Sequence, residues 1–263
     1  MLACAAVLDL ATAGAVARKP PPLGEDGGGS FLPKPPPAQP GVPGAPSSYK
    51  VVLIAGDASL PVFDNAVASV AARLQEDGVA ADDIQRLSAA PGVVAQGARP
   101  ASLRGVLDAI SAMAPAAGQG CFVFATSHGA QGYGLVLAAT REVLDPALLD
   151  AALTRGCGRA PTVVIVSACF SGLYARPPVA RPNRVVLTAA RPDRTSFGCG
   201  AGYTYTVYDR CLLDAMGGGG TWRQAYLAIR RCVAAEERQG EFVPSEPQAS
   251  FGPGVSELAT PAG

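Results

Sequence analysis

The chain has 263 residues, with 21 basic against 21 acidic side chains and one histidine, so it can form one large or two small domains and carries no net charge. Neutrality argues against a nucleic-acid or anionic-membrane binder, whose affinity comes from neutralising phosphates, and no uncharged apolar run reaches the ~18 residues needed to span a bilayer. With 49% hydrophobic and only 16% charged residues, the chain can bury a core and is not globally disordered.

Residues 1–17 are apolar and end in Ala15-Val16-Ala17, the small-x-small pattern of a signal-peptidase site, but no basic residue precedes the run and Asp9 interrupts it. The segment reads either as an export signal cut short upstream or as an ordinary terminus. Residues 18–48 hold ten of the 24 prolines and almost no large apolar side chains, which makes them a linker. From residue 49 to about 240, strand-like and helix-like blocks alternate, the pattern of an α/β domain.

The continuous apolar run over 50–55, closed by Gly56-Asp57, predicts a buried parallel strand. A helix over 65–76 places Ala66, Val67, Val70 and Leu74 on one face, and a short strand follows over 84–87. The spacing of Leu103, Val106, Leu107 and Ile110 predicts a helix over 102–113. A third strand covers 121–126, a small hairpin arm 133–139, and Asp145-Pro146 opens a helix to about 155 as N-cap and first helical residue. The β-branched run Val163-Val164-Ile165-Val166 marks a fourth strand over 162–167, and a fifth covers 185–188. Helices over 205–216 and 221–236 flank the glycine run 217–220. Residues 241–263 return to Pro, Ser and Gly and are expected to lie loosely on the surface. The loops at 88–101 and 174–184 carry no readable pattern.

In an open parallel sheet, chemistry gathers beyond the carboxyl ends of the strands. His128, the sole histidine, follows the third strand, and Cys169 follows the fourth. If those strands are neighbours, the two side chains face one cleft, which suits a cysteine nucleophile whose proton an imidazole accepts. Gly129 has no side chain, so its N–H can approach a bound carbonyl oxygen and form an oxyanion site with the N–H of Cys169. Taken singly, each residue reads more readily as a buried thiol or a structural histidine. One histidine and no Cys-x-x-Cys pair leave no ligand spacing for a metal, and no cofactor is expected.

The segments Thr126-Ser127-His128-Gly129 and Val166-Ser167-Ala168-Cys169-Phe170-Ser171-Gly172 resemble the His-Gly and Ala-Cys-x-Ser-Gly boxes of the legumain-type (asparaginyl endopeptidase-like) cysteine peptidases, relatives of the caspases. Ile54-Ala55-Gly56 is similar to that family's first strand, and Leu187-Thr188-Ala189-Ala190 through Thr195-Ser196-Phe197-Gly198-Cys199 to a segment of its substrate pocket. The resemblance implies a caspase-like three-layer sandwich, an α/β fold with a mostly parallel central sheet flanked by helices. It makes His128 the general base, Cys169 the nucleophile and Gly129 an oxyanion donor, with Ser167, Thr195 and Ser196 at the substrate and a peptide or protein as partner. The likeness to bacterial members implies export to the periplasm or envelope; otherwise the protein is cytoplasmic.

The departures from the family pattern bear on specificity. Where legumains have Asn-Tyr-Arg-His after the first strand, this chain has Val62-Phe63-Asp64-Asn65, so the orienting asparagine and the pocket arginine are both missing. Ser167 stands where relatives carry an acid two residues before the nucleophile, which predicts a neutral pocket floor unless Asp57, Asp64 or Asp193 supplies a charge. Cleavage after Asn is then implied by resemblance alone, and Asn183 in the loop 180–184 becomes the expected self-processing site. Of the other cysteines, Cys121 begins a core strand and is expected to stay unpaired, whereas Cys157, Cys199, Cys211 and Cys232 either pair in an oxidising compartment or remain reduced. The alternatives to hydrolysis are transpeptidation through the same dyad and a catalytically inactive caspase-like binding scaffold.

Overall fold

In the computed structural model, which describes residues 46–261, the chain folds around one seven-stranded sheet. The leader at 1–17 and all but the last three residues of the linker lie outside the described residues. The elements in chain order are β1 (Ser48–Ala55), α1 (Val62–Glu76), β2 (Ile84–Ser88), α2 (Pro91–Ala95), β3 (Arg99–Pro100), α3 (Leu103–Ser111), β4 (Gln119–Thr126), β5 (Gly129–Ala130), β6 (Gly134–Leu137), β7 (Glu142–Leu144), α4 (Pro146–Cys157), β8 (Thr162–Ser167), β9 (Arg184–Thr188), α5 (Val207–Met216), α6 (Trp222–Gln239) and β10 (Gln248–Phe251). The sheet order is β10-β9-β8-β4-β1-β2-β3, parallel throughout except for β10.

The apolar runs form parallel strands because both of their faces are covered. Val51 and Leu53, Phe122 and Phe124, Val163 and Ile165, and Val185 and Leu187 point to the side packed by α1, α5 and α6. Their alternates Val52 and Ile54, Val123 and Ala125, Val164 and Val166, and Val186 point to the side of α3 and α4. Two helical layers therefore sandwich the sheet, which is the three-layer α/β arrangement expected. Helix starts follow from side chains that accept the first free N–H groups: Ser102 for α3, Asp145 for α4, Thr206 for α5, and a reciprocal Thr221–Gln224 pair for α6.

Three expectations need correction. Residues 241–261 are not a loose tail: β10 pairs antiparallel with β9, Val255 and Leu258 are buried, and Phe251 packs on Tyr226 and under Arg223. These apolar residues are spread singly among Pro, Gly and Ser, so no periodicity announces them. Cys121 is not unpaired, because α4 returns alongside β4 and places Cys157 with its Cα 6.1 Å away in a disulfide. Cys211–Cys232 joins α5 to α6, and Cys199 is disulfide-bonded as well. The arm expected at 133–139 is the middle strand of a separate antiparallel sheet, β5-β6-β7.

Candidate active site

β4 and β8 are neighbours and end side by side. Thr126 is in register with Ser167, and the ladder extends one residue further through Ser127 N–H to Ser167 O at 3.1 Å. His128 and Cys169 thus leave adjacent strand ends, and their backbones meet at Gly129. A Cβ on Gly129 would lie 1.9 Å from Cys169 O and 3.1 Å from its N, so this approach requires glycine.

The turn after Cys169 is held by specific contacts. Phe170 adopts a left-handed φ of 59°, a conformation strained for a bulky side chain, and its N–H donates to Arg194 O at 2.8 Å. Ser171 Oγ donates to Ala168 O (2.7 Å) and accepts from Ala189 N–H (3.1 Å) and Ala190 N–H (3.3 Å), tying the turn to the end of β9. Tyr174 fixes the other side. Its hydroxyl accepts from Leu135 N–H at 2.8 Å and donates to Leu144 O, so the small sheet that follows His128 is tied to the segment that follows Cys169.

Cys169 is 1% exposed and is the free cysteine among the described residues. Its Sγ accepts from Ser196 N–H at 3.2 Å and lies 3.7 Å from Ser196 O and Oγ. Burial pushes the thiol up to about 11, and the hydrogen bonds from Ser196 offset only part of that rise, so it is protonated at neutral pH. His128 presents Nε2 to Asp57 Oδ1 at 3.9 Å, while Nδ1 is buried without a hydrogen-bond partner. Phe63 meets the imidazole edge-on, with centroids 5.4 Å apart. Of the expected residues, Gly129 therefore packs on the Cys169 backbone, directly after His128, and Ser196 is hydrogen-bonded to the thiol. Thr195 is half-buried next to Ser196.

Ser167, expected at the substrate as part of a neutral pocket floor, is buried. It is 2% exposed and lies beside the carboxyl of Asp209 on α5. The floor beneath the strand ends is accordingly not free of acids. Asp209 is fully buried, accepts from Thr126 Oγ1 at 2.7 Å, and is pushed up to about 6 by burial, which the hydroxyls of Ser167, Thr126 and Thr206 partly offset. The sequence reading missed this residue. Thr206 three positions before Asp209 is a readable helix start, but nothing along the chain shows that this helix begins under β4 and β8. Of the three acids considered for the pocket, Asp64 is bonded by Ser88 at 3.0 Å and Asp193 by Arg191 at 2.9 and 2.8 Å; Asp57 is the one at the histidine.

Asn183 lies at the opposite end of the sheet. Its amide donates to Ala160 O at 2.8 Å and its carbonyl accepts from Thr162 N–H at 3.0 Å, both at the start of β8, so the Cys169 of the same molecule cannot reach it. Among the described residues, no three His, Cys, Asp or Glu side chains come together to hold a metal ion, and no helix is long and apolar enough to cross a membrane.

No curated protein matches the chain. Residues 113–235, which carry both boxes, the strands that present them and the helix bearing Asp209, match the model of the Peptidase C13 family, the family of the legumain-type cysteine peptidases.

Proposed function

We propose that the protein is a cysteine endopeptidase with Cys169 as nucleophile and His128 as general base. The packing of Gly129 directly on the backbone of Cys169 supports this reading, because His128 immediately precedes that glycine and Cys169 is the free thiol among the described residues. In the reaction, the thiol proton passes to His128 as Sγ bonds to the scissile carbonyl carbon. The Gly129 and Cys169 amides receive the oxyanion, and His128 then protonates the departing amine as the C–N bond breaks. Water, deprotonated by His128, releases the acyl group. Capture by an amine in place of water gives transpeptidation.

On this reading Thr195 and Ser196 line the side of the site that receives the residue before the scissile bond, with the buried Ser167 and Asp209 beneath them. Cleavage after Asn is supported by the family resemblance. Export to an oxidising compartment of the envelope is supported by the Cys121–Cys157 and Cys211–Cys232 disulfides. One observation favours the scaffold reading: the thiol is buried and hydrogen-bonded to Ser196. A peptide library varied at the residue before the cut, read by mass spectrometry with Cys169→Ala as blank and with and without an added amine, decides between them. Cys169-dependent cleavage is expected. Its absence from folded protein, before and after limited proteolysis, refutes the peptidase.

A further inference from the structure

We infer that Asp57 is the positioning residue of this site, setting the orientation and tautomer of His128 so that Nδ1 is the atom that takes the Cys169 proton; the inference rests on the peptidase reading. Asp57 is 7% exposed in the turn after β1. The turn is locked to the strand that carries the histidine. Gly56 N–H donates to Thr126 O at 3.0 Å, Ala138 N–H donates to Gly56 O at 2.8 Å, and a Cβ on Gly56 would stand 2.7 Å from Ser127 Oγ. Asp57 and His128 are therefore held by the same backbone contacts.

The carboxylate is itself fixed, since Oδ1 accepts the N–H of Ser59 at 2.7 Å and also its hydroxyl. That oxygen faces His128 Nε2 across 3.9 Å. A carboxylate favours the tautomer that carries the proton on the nitrogen facing it. Nε2 then holds the proton, and Nδ1, buried and without a hydrogen-bond partner, keeps its lone pair. Phe63 stands edge-on to the ring and limits its rotation. When the thiol proton moves to Nδ1, the resulting imidazolium keeps its Nε2–H toward Asp57 while the sulfur bears the negative charge. The return transfer from Nδ1 to the leaving amine restores the starting tautomer.

His128 is the only histidine, so ring-labelled ¹⁵N protein gives one pair of imidazole nitrogen signals. In the full chain at alkaline pH, the wild type is expected to show Nε2 protonated and Nδ1 bare. Asp57→Ala should mix the tautomers and lower kcat at least about tenfold, part of the ~10²–10⁴ that a placed acid–base supplies, with little change in KM. Asp57→Asn should keep the wild-type tautomer if its amide oxygen takes the place of Oδ1, which faces Nε2 across 3.9 Å and accepts from Ser59. A wild-type ring protonated on Nδ1 overturns the proposal by itself, even if Asp57→Ala fails to fold. So does an Asp57→Ala protein with unchanged signals and kcat. If the wild type shows no Cys169-dependent cleavage, the peptidase reading fails, while the tautomer spectra still decide whether Asp57 sets the ring.

Discussion

Replacing Gly129 with alanine perturbs the one contact on which the geometry of both boxes depends. The added Cβ would stand 1.9 Å from Cys169 O and 2.8 Å from Cys169 C, whereas ordinary contact begins near 3.4 Å. Both obstacles are backbone atoms, so no rotamer relieves them, and one segment must retreat by more than about 1 Å. Cys169 cannot move easily, because Ser171 ties its turn to Ala189 and Ala190. The His128 side cannot either, because Val136 N–H donates to His128 O at 2.9 Å. Overpacking of this kind costs about 1–3 kcal/mol of stability. An ångström of misplacement between base and nucleophile costs about 10²-fold in rate. Gly129→Ala should therefore lose about 100-fold in kcat/KM on the best library peptide and show a lower Tm. Gly92→Ala, at a position where an added Cβ meets nothing within 4 Å, should match the wild type in both. A folded Gly129→Ala protein with wild-type kcat/KM would show that His128 and Cys169 do not act as a pair.

Burial raises the folded-state Asp209 carboxyl to about 6, above its unfolded value, so it binds its proton more readily when folded and its contribution to stability falls as pH rises from about 4 to 6. Asp209→Asn should accordingly be more stable than the wild type at pH 7.5, by up to about 3 kcal/mol, with the difference vanishing below pH 4 in urea titrations; an equal difference at both pH values refutes this. Asp150→Ala removes the partner of Arg184, which is 1% exposed and donates to that carboxylate at 2.7 Å, and should cost about 3–5 kcal/mol by chemical denaturation. For Asp150 itself, burial pushes the carboxyl up, but bonds from Arg181 and Arg184 outweigh burial and hold it below the usual range. The stability it contributes is therefore present at neutral pH and lost as pH falls below about 4, the reverse of Asp209. With its thiol near 11, Cys169 should react with iodoacetamide about tenfold faster per pH unit between 7 and 10; a rate that is flat across that range contradicts the resting state described.

The parts of the fold legible in the sequence are those in which one residue type serves both local and tertiary structure. Val163-Val164-Ile165-Val166 is β-branched for the strand and apolar for both helical layers, so the pattern and the core coincide. The adjacency of the strand ends that carry His128 and Cys169 was legible because each residue stands directly past such a run in a parallel sheet. The small elements escaped for the opposite reason. β10, Gln-Ala-Ser-Phe, has a single large apolar side chain and gains its order from the hydrogen bonds of β9, which no local pattern encodes. Cys121 looked like a core hydrophobe because it is one; its pairing with Cys157 depends on α4 crossing back beside β4. Asp57 and Asp209 sit in short polar contexts that read as a turn and a cap, and only the neighbouring strands turn them toward the site.

The misjudged tail changes how the site itself is built. Ser196, which holds the thiol, lies on a segment gripped by the chain that precedes β10. Phe197 stacks on Phe242 at 4.4 Å, Arg191 N–H donates to Ser245 O at 2.9 Å, and Arg191 pairs with Glu246 at 3.2 Å. Glu237 of α6 in turn accepts the Ser245 N–H at 3.0 Å. On the proposed reading, substrate must displace Ser196 from Cys169 to reach the sulfur, and these contacts hold Ser196 in place. A stacked aromatic pair is worth about 0.5–1.5 kcal/mol beyond its buried area, and a half-exposed ion pair such as Arg191–Glu246 about 0–1 kcal/mol. Phe242, not Glu246, is therefore the stronger hold on the segment that covers the Cys169 thiol, even though it lies in a stretch whose sequence reads as surface.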